Sequence, residues 1–346
     1  MADFNQFWQI DRSIFLHSLE PSDTFFPSAL KEDLERLLLL TKQPQTVAFL
    51  IGMKGTGKST YLKWLNLQFP VEHYDTLLTT MISPEPRSGW LARRLSEFFG
   101  TRGQPSHTDH LLRDVVTRLD ELVEEKRKLI VFVDAAHMAD TAASWQELSS
   151  LMSLQALAEP CVSFVLCGEP RLLQLFIESE SLATHISFAL ETRPISEAET
   201  SAYLRHRLDL AQLQAEIQTD ALRAIFDESR GVIARINTIA ENCLIECSVR
   251  ESRVITKEIV LAANRYIAGK APHISTLNTS AAGLAMPLTA LYRPATVASA
   301  STTATLPTPE KNLEPPKSAV PIENQDKDIP GIRLSSLFKS DGSRKR

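Results

Sequence analysis

Between Thr46 and Phe69 the chain reads TVAFLIGMKGTGKSTYLKWLNLQF: an apolar run, a turn with three glycines, then a helical pattern. The apolar run suits a strand buried on both faces of a parallel sheet, because such a strand has no wet face to show as alternating polar residues. The turn contains Gly52-x-x-x-x-Gly57-Lys58-Ser59, a complete phosphate-binding loop, or P-loop, pattern in the context it needs. Few folds accommodate strand, glycine loop and helix in that order.

The residue types explain what the loop is for. Gly52, Gly55 and Gly57 let the chain turn tightly and bring amide N–H groups against phosphate oxygens. Met53, Lys54, Thr56 and Thr60 complete the candidate cradle. Lys58 places positive charge at the β and γ phosphates, Ser59 offers its hydroxyl to Mg²⁺, and the next helix presents its positive end. The expected ligands are ATP and Mg²⁺, although the pattern does not separate ATP from GTP.

Three further apolar runs match the first, at 76–83, 129–134 and 162–168, and HISFALE at 185–191 is a weaker fifth. Helical patterns fill the gaps, and SALKEDLERLLLLTK at 28–42 precedes the first strand, with Ser28 as a candidate cap. Strands alternating with helices predict an α/β fold with a doubly wound, mostly parallel sheet. Asp134 ends the 129–134 run, where its carboxylate can hold Mg²⁺ through water.

After Pro194 the alternation stops. Helical stretches at 196–213, 219–229, about 233–249 and 256–268 predict a small all-helical lid. From Ala271 the composition shifts to Ser, Thr, Ala and Pro, with nine of the 19 prolines, and predicts a disordered tail. The expected organisation is thus an entry segment and helix at 1–45, the α/β core at 46–194, the lid at 195–269 and the tail at 270–346. Within the tail, IPGIRLSSLFK at 329–339 regains apolar spacing, so residues 327–346 are a candidate docking segment for a protein partner.

Charge and cysteines narrow the setting. Nine of the 37 Lys+Arg and six of the 42 Asp+Glu lie after Lys270, leaving 28 and 36 ahead of it. An acidic body argues against gripping a phosphate backbone, while a local basic patch or the terminal SRKR leaves nucleic acid open. Cys161, Cys167, Cys243 and Cys247 form no CxxC pair; Cys243 and Cys247, four apart on a helix, read as core packing ahead of a metal pair. The start of the chain has no secretory pattern and no stretch reaches a membrane span, so a reducing cytoplasm is expected.

From about Phe25 to Ala268 the chain resembles AAA-type ATPases of the general-secretion GspA/ExeA and pilus-biogenesis MshM group, related to AAA ATPases that assist transposition. PSDTFFPSALKEDLERLLLL resembles the entry segment that lies near the nucleotide base. VDAAH matches the position of a DEAH/DEAQ Walker B motif, and LCGEPRLLQLF a GQPEL loop after the sensor strand. RPISEAETSAYLRHRLDLAQ resembles the block that opens the helical lid, and SRGVIARINTIAENCLIEC the family's SxGxPRxIN block. The resemblance implies that Arg235 is a sensor reaching the γ phosphate; a homo-oligomer is left open as a partner state. Two departures bear on activity. Ala135 stands where the family has a water-activating glutamate, and His185 where it has an arginine finger; losing a finger alone costs ~10³ to 10⁵ in rate. Glu169 is a candidate substitute carboxylate and His137 a weaker base, although Glu169 equally suits a helix start. The functional expectation is an ATP-binding switch or assembly ATPase with slow or partner-dependent hydrolysis. The alternatives are an active oligomeric ATPase driving secretion or pilus assembly, and a DNA-associated regulator of the transposition type.

Overall fold

The computed structural model describes residues 4–11, 13–16, 20–43, 45–82, 89–100, 108–155 and 159–268. The expected tail and its docking segment at 327–346 lie outside them. Five parallel strands form the central sheet: β1 (Val47–Gly52), β2 (Tyr74–Thr80), β3 (Lys128–Asp134), β4 (Val162–Gly168) and β5 (Ile186–Thr192), in the order β2-β3-β4-β1-β5. The α/β fold is as expected. The order also explains the strength of the sequence signal. β1, β3 and β4 lie inside the sheet and are buried almost throughout, whereas β2 and β5 form its edges and are largely half-exposed. HISFALE reads weakly because an edge strand needs fewer apolar residues.

On one face of the sheet, α2 (Ser28–Thr41) and α3 (Lys58–Asn66) bury Leu34, Leu37, Leu62 and Leu65 against Leu50, Phe132 and Val165. On the other, Phe49 meets Phe176 of α7 (Pro170–Glu178) edge-on at 4.9 Å between ring centroids. Phe176 in turn touches Trp145 at 5.5 Å, and Trp145 meets Trp90. The other helices here are α4 (Trp90–Phe99), α5 (Thr108–Glu124), α6 (Gln146–Gln155) and the short α8 (Glu180–Ala183). Ser28 does not cap α2: Pro27 takes the cap position and makes no side-chain bond, which places Ser28 inside the first turn.

The C-terminal helices are α9 (Glu197–Leu210), α10 (Thr219–Ser229), α11 (Ile233–Val249) and α12 (Lys257–Ala268). A capping box starts α9: Glu199 N–H donates to Ser196 Oγ at 3.3 Å, and Ser196 N–H to the Glu199 carboxylate at 2.9 Å. The region is not all-helical. Glu216–Ile217 and Val254–Ile255 pair in parallel as β6 and β7, tying the loops before α10 and α12 together. Cys243 and Cys247 are fully buried in this core, where loss of hydration pushes their thiols up to about 12 and about 11.

The beginning of the chain is divided between the two regions. α1 (Phe4–Trp8) and the segment after it pack into the helical core through Trp8, Ile14 and Phe15, whereas α2 packs on the sheet. Trp8 Nε1 donates to the Leu244 carbonyl at 3.0 Å, and Phe15 N–H to the buried Glu241 carboxylate at 2.9 Å. The Arg207 guanidinium donates to the Ile14 carbonyl. Residues expected as one entry segment therefore bridge both regions: Trp8 and Phe15 join the helical core and have hydrogen-bond partners, Leu244 and Glu241, more than 200 residues away. Among the described residues, no helix is long and apolar enough to cross a membrane.

Candidate nucleotide site

The site lies at the C-terminal ends of β1, β3 and β4, where an open α/β sheet presents its loops and helix N-termini. A cavity of about 590 Å³ opens there, lined by the loop residues Lys54, Gly55, Gly57, Lys58, Ser59 and Thr60. Asp134, Ala135, His137 and Glu169 line it from β3 and β4, and Ile233, Ala234 and Asn237 from α11. Its volume suits a nucleotide-sized ligand. An adjoining compartment of about 210 Å³ shares Gly57, Thr60, Ile233 and Asn237 and is walled by Phe15, Phe25, Tyr61 and Tyr203. One compartment is cationic and rich in loop backbone, the other aromatic.

The loop glycines answer to protein neighbours. A Cβ on Gly52 would stand 2.2 Å from Thr192 Oγ1 and 2.4 Å from its carbonyl on β5. A Cβ on Gly55 would stand 3.0 Å from both Val232 Cγ1 and Ala234 Cβ at the start of α11. To the tight turn and the approach of phosphate expected of these glycines, the fold adds close protein neighbours. Gly52 and Met53 serve through their carbonyls, which accept Lys58 Nζ at 2.9 and 2.7 Å. Thr56 is buried behind the loop, sharing a 2.7 Å hydrogen bond with Thr192. Gly52, Met53 and Thr56 thus shape the cradle from outside the cavity wall.

Electrostatics gather at Lys58. Burial lowers its ammonium from the usual 10.5, against the opposing carboxylate charges of Glu169 and Asp134. Asp134 Oδ1 accepts the Ala135 N–H at 2.8 Å, and Ala135 is left-handed, with φ 51°. Ser59 and Asp134 bring a hydroxyl and a carboxylate to one cavity, the oxygen donors Mg²⁺ takes. In the aromatic compartment Thr24 Oγ1 is buried with no hydrogen-bond partner, a polar atom that a ligand can satisfy.

Three residues were not singled out from the sequence. Asn237 lines both compartments and accepts the Tyr203 hydroxyl at 2.6 Å; that hydroxyl also accepts from Arg207 at 3.3 Å. Their signal was present in the YLRHR and ARIN blocks, but only the fold brings α9 and α11 together. Arg235 does not line the cavity. At about 100° per residue, Ile233, Ala234 and Asn237 share one face of α11 and Arg235 projects from another; its Nε is buried without a partner. His185 lies at the opposite, N-terminal end of β5, where Nε2 stands 3.3 Å from Ser149 Oγ and burial lowers its pKa from 6.5. Glu169 does cap α7, but its side chain makes no capping bond and lines the cavity.

Residues 41–176 match the family model described as an AAA domain. No curated protein sequence matches the chain. Among solved structures, Aeropyrum pernix ORC2 in its ADPNP–ADP complexes superposes with a TM-score of 0.57 at 17% identity, over 73% of this chain and 71% of that one. Pyrobaculum aerophilum Cdc6p gives 0.56 at 15% identity over 74% and 71%. Aeropyrum pernix ORC1 in complex with DNA gives 0.55 at 17% identity over 73% and 68%. At such identity the likeness is one of fold. The matched span holds the P-loop, Asp134 and Glu169, while the Ile233–Asn237 wall lies outside it. With its parallel sheet, its P-loop at the strand ends and this match, residues 41–176 form an AAA-type ATPase domain.

Proposed function

We propose that the chain binds Mg²⁺-ATP between the P-loop and α11 and acts as a nucleotide-dependent switch. One observation carries this reading: the Ala234 N–H donates to the Gly55 carbonyl at 3.0 Å, so the helical region is bonded directly to the phosphate loop. A ligand seated on the loop acts at that contact, and its γ phosphate biases how α11 sits. Lys58 and the loop amides hold the phosphates, Ser59 and Asp134 hold Mg²⁺, and the aromatic compartment with Thr24 takes the base and ribose. When bound, Mg²⁺ neutralises charge on the β and γ oxygens. Hydrolysis is slow or partner-dependent, since Ala135 offers no carboxylate.

A place in secretion or pilus assembly, working through a protein partner, is supported by the ordered sequence blocks that resemble that group. The nucleotide reading is tested by calorimetry of the full chain with Mg²⁺-ATP, joined to amide exchange of α11. Binding is expected to fall at least about tenfold in Lys58→Ala, the loss of ~1.4 kcal/mol that one charge-assisted contact supplies. Exchange in α11 is expected to slow on binding. No affinity at millimolar Mg²⁺-ATP would sink the proposal.

A further inference from the structure

Ala135 removes the carboxylate from the turn after β3, yet the cavity contains another one beyond Asp134. Glu169, the first residue after β4, faces the same space from the neighbouring strand end. The fold places His137 beside it. A Cβ on Gly168 would stand 3.0 Å from the His137 backbone N and 3.1 Å from its Cβ, so glycine at the end of β4 lets the turn after Asp134 lie close. The His137 ring then reaches Glu169, with Nε2 3.5 Å from Oε1. The second oxygen, Oε2, lies 3.7 Å from Arg171 Nε, and Arg171 lines the same cavity.

The ring's protonation follows from its surroundings. His137 Nδ1 is buried and has no partner. A buried N–H without an acceptor is rarer than a bare lone pair, which puts the proton on Nε2, facing Glu169. Burial, together with the Arg171 and Lys58 charges, lowers the ring's pKa from 6.5 against the pull of Glu169 and Asp134, so the ring is neutral near pH 7. The one free nitrogen of His137 is therefore sealed from the cavity, and the ring cannot be the base. Asp134 accepts the Ala135 N–H and, in the proposed site, would hold the cation.

We infer that Glu169 is the carboxylate that orients and deprotonates the hydrolytic water at this site, with His137 as the residue that positions it. The inference rests on the nucleotide-binding reading and deepens it. The water oxygen bonds to the γ phosphorus, the bond from that phosphorus to the bridging oxygen breaks, and its electron pair leaves with ADP. The water proton passes to Glu169 and from there to the released phosphate or solvent. The carboxylate supplies from the β4 side what the Ala135 position lacks on the β3 side.

The test uses the full chain and three readouts: turnover, calorimetric affinity for Mg²⁺-ATP, and the extra affinity for Mg²⁺-ADP–fluoroaluminate over Mg²⁺-ADP. Glu169→Gln is expected to lower turnover by ~10² to 10⁴, to keep ATP affinity within about twofold, and to lose the extra affinity for the transition-state mimic. Ala135→Glu in the Glu169→Gln background is expected to restore turnover, which also shows that the single variant is folded. His137→Asn retains an N–H toward Glu169 and is expected to keep more turnover than His137→Ala at equal ATP affinity. The inference is overturned if Glu169→Gln turns over like the unmodified chain. It is equally overturned if the unmodified chain binds ATP but shows neither turnover nor preference for the mimic, a result that leaves the nucleotide reading standing. Absence of ATP binding by the unmodified chain removes both.

Discussion

Gly231, just ahead of α11, packs on the backbone of Ile195 at the entry to the helical region, and Gly231→Ala measures what that contact is worth to the placement of α11 on the phosphate loop. Gly231 has φ +72°, where an L side chain costs ~1–2 kcal/mol. An added Cβ would also lie 2.0 Å from the Ile195 carbonyl oxygen, 3.0 Å from its carbon and 3.1 Å from its nitrogen. These are backbone atoms, so rotating a side chain relieves nothing. The segments must part, which breaks the 2.9 Å bond from Ile195 N–H to the Gly231 carbonyl at a further ~0.5–1.5 kcal/mol. The sum is roughly 1.5–3.5 kcal/mol. Gly100 separates the two causes: its φ is +66° but nothing lies within 4 Å of an added Cβ, so Gly100→Ala carries only the backbone part. Parting at Gly231 moves Val232 and Ala234 on the Gly55 side of the cavity. Calorimetry with Mg²⁺-ATP is expected to show about tenfold weaker binding for Gly231→Ala, one decade per ~1.4 kcal/mol. Thermal unfolding is expected about 3–14 °C lower, at about 2–4 °C per kcal/mol for a unit of this size. If Gly231→Ala melts with Gly100→Ala and binds ATP like the unmodified chain, the contact does not couple the helical region to the loop.

Two further predictions concern the start of the chain and pH. Trp8 is 4% exposed and tied to Leu244, so Trp8→Ala is expected to destabilise the helical region by ~3–5 kcal/mol in denaturant titration; a loss below ~1 kcal/mol contradicts its place in that core. His137 and His185 are both held below the usual 6.5 by burial. As pH falls, the unfolded chain takes up these protons first, so stability present above about 6.5 is lost as pH drops through the folded values. His185→Gln is expected to flatten the fall of the denaturation midpoint between about pH 7 and about pH 5, and an unchanged slope would refute that origin.

Much of the fold was legible because its causes are local. A strand covered on both faces must be apolar at every position, so β1, β3 and β4 could be read directly, and the edge strand β5 read more faintly for the same reason. Lys58, Ser59 and Asp134 were legible because a P-loop and a strand-end carboxylate keep their chemistry within a few residues. The two-residue β6–β7 ladder was not: four residues carry no period.

What the sequence by itself determined is the class of sheet, the phosphate loop and the missing carboxylate at Ala135, each set by neighbours along the chain. The tertiary structure decided the rest. It set Asn237 rather than Arg235 in the cavity lining, since a helix's rotation about its axis is set by what its buried face packs against. It sent Trp8 and Phe15 into the helical core, and gave Gly52 and Gly55 their close neighbours on β5 and α11. It brought Glu169 and His137, on adjacent strand ends 32 positions apart, to 3.5 Å. Such contacts arise only when the sheet order sets β3 beside β4, and no local pattern encodes that order.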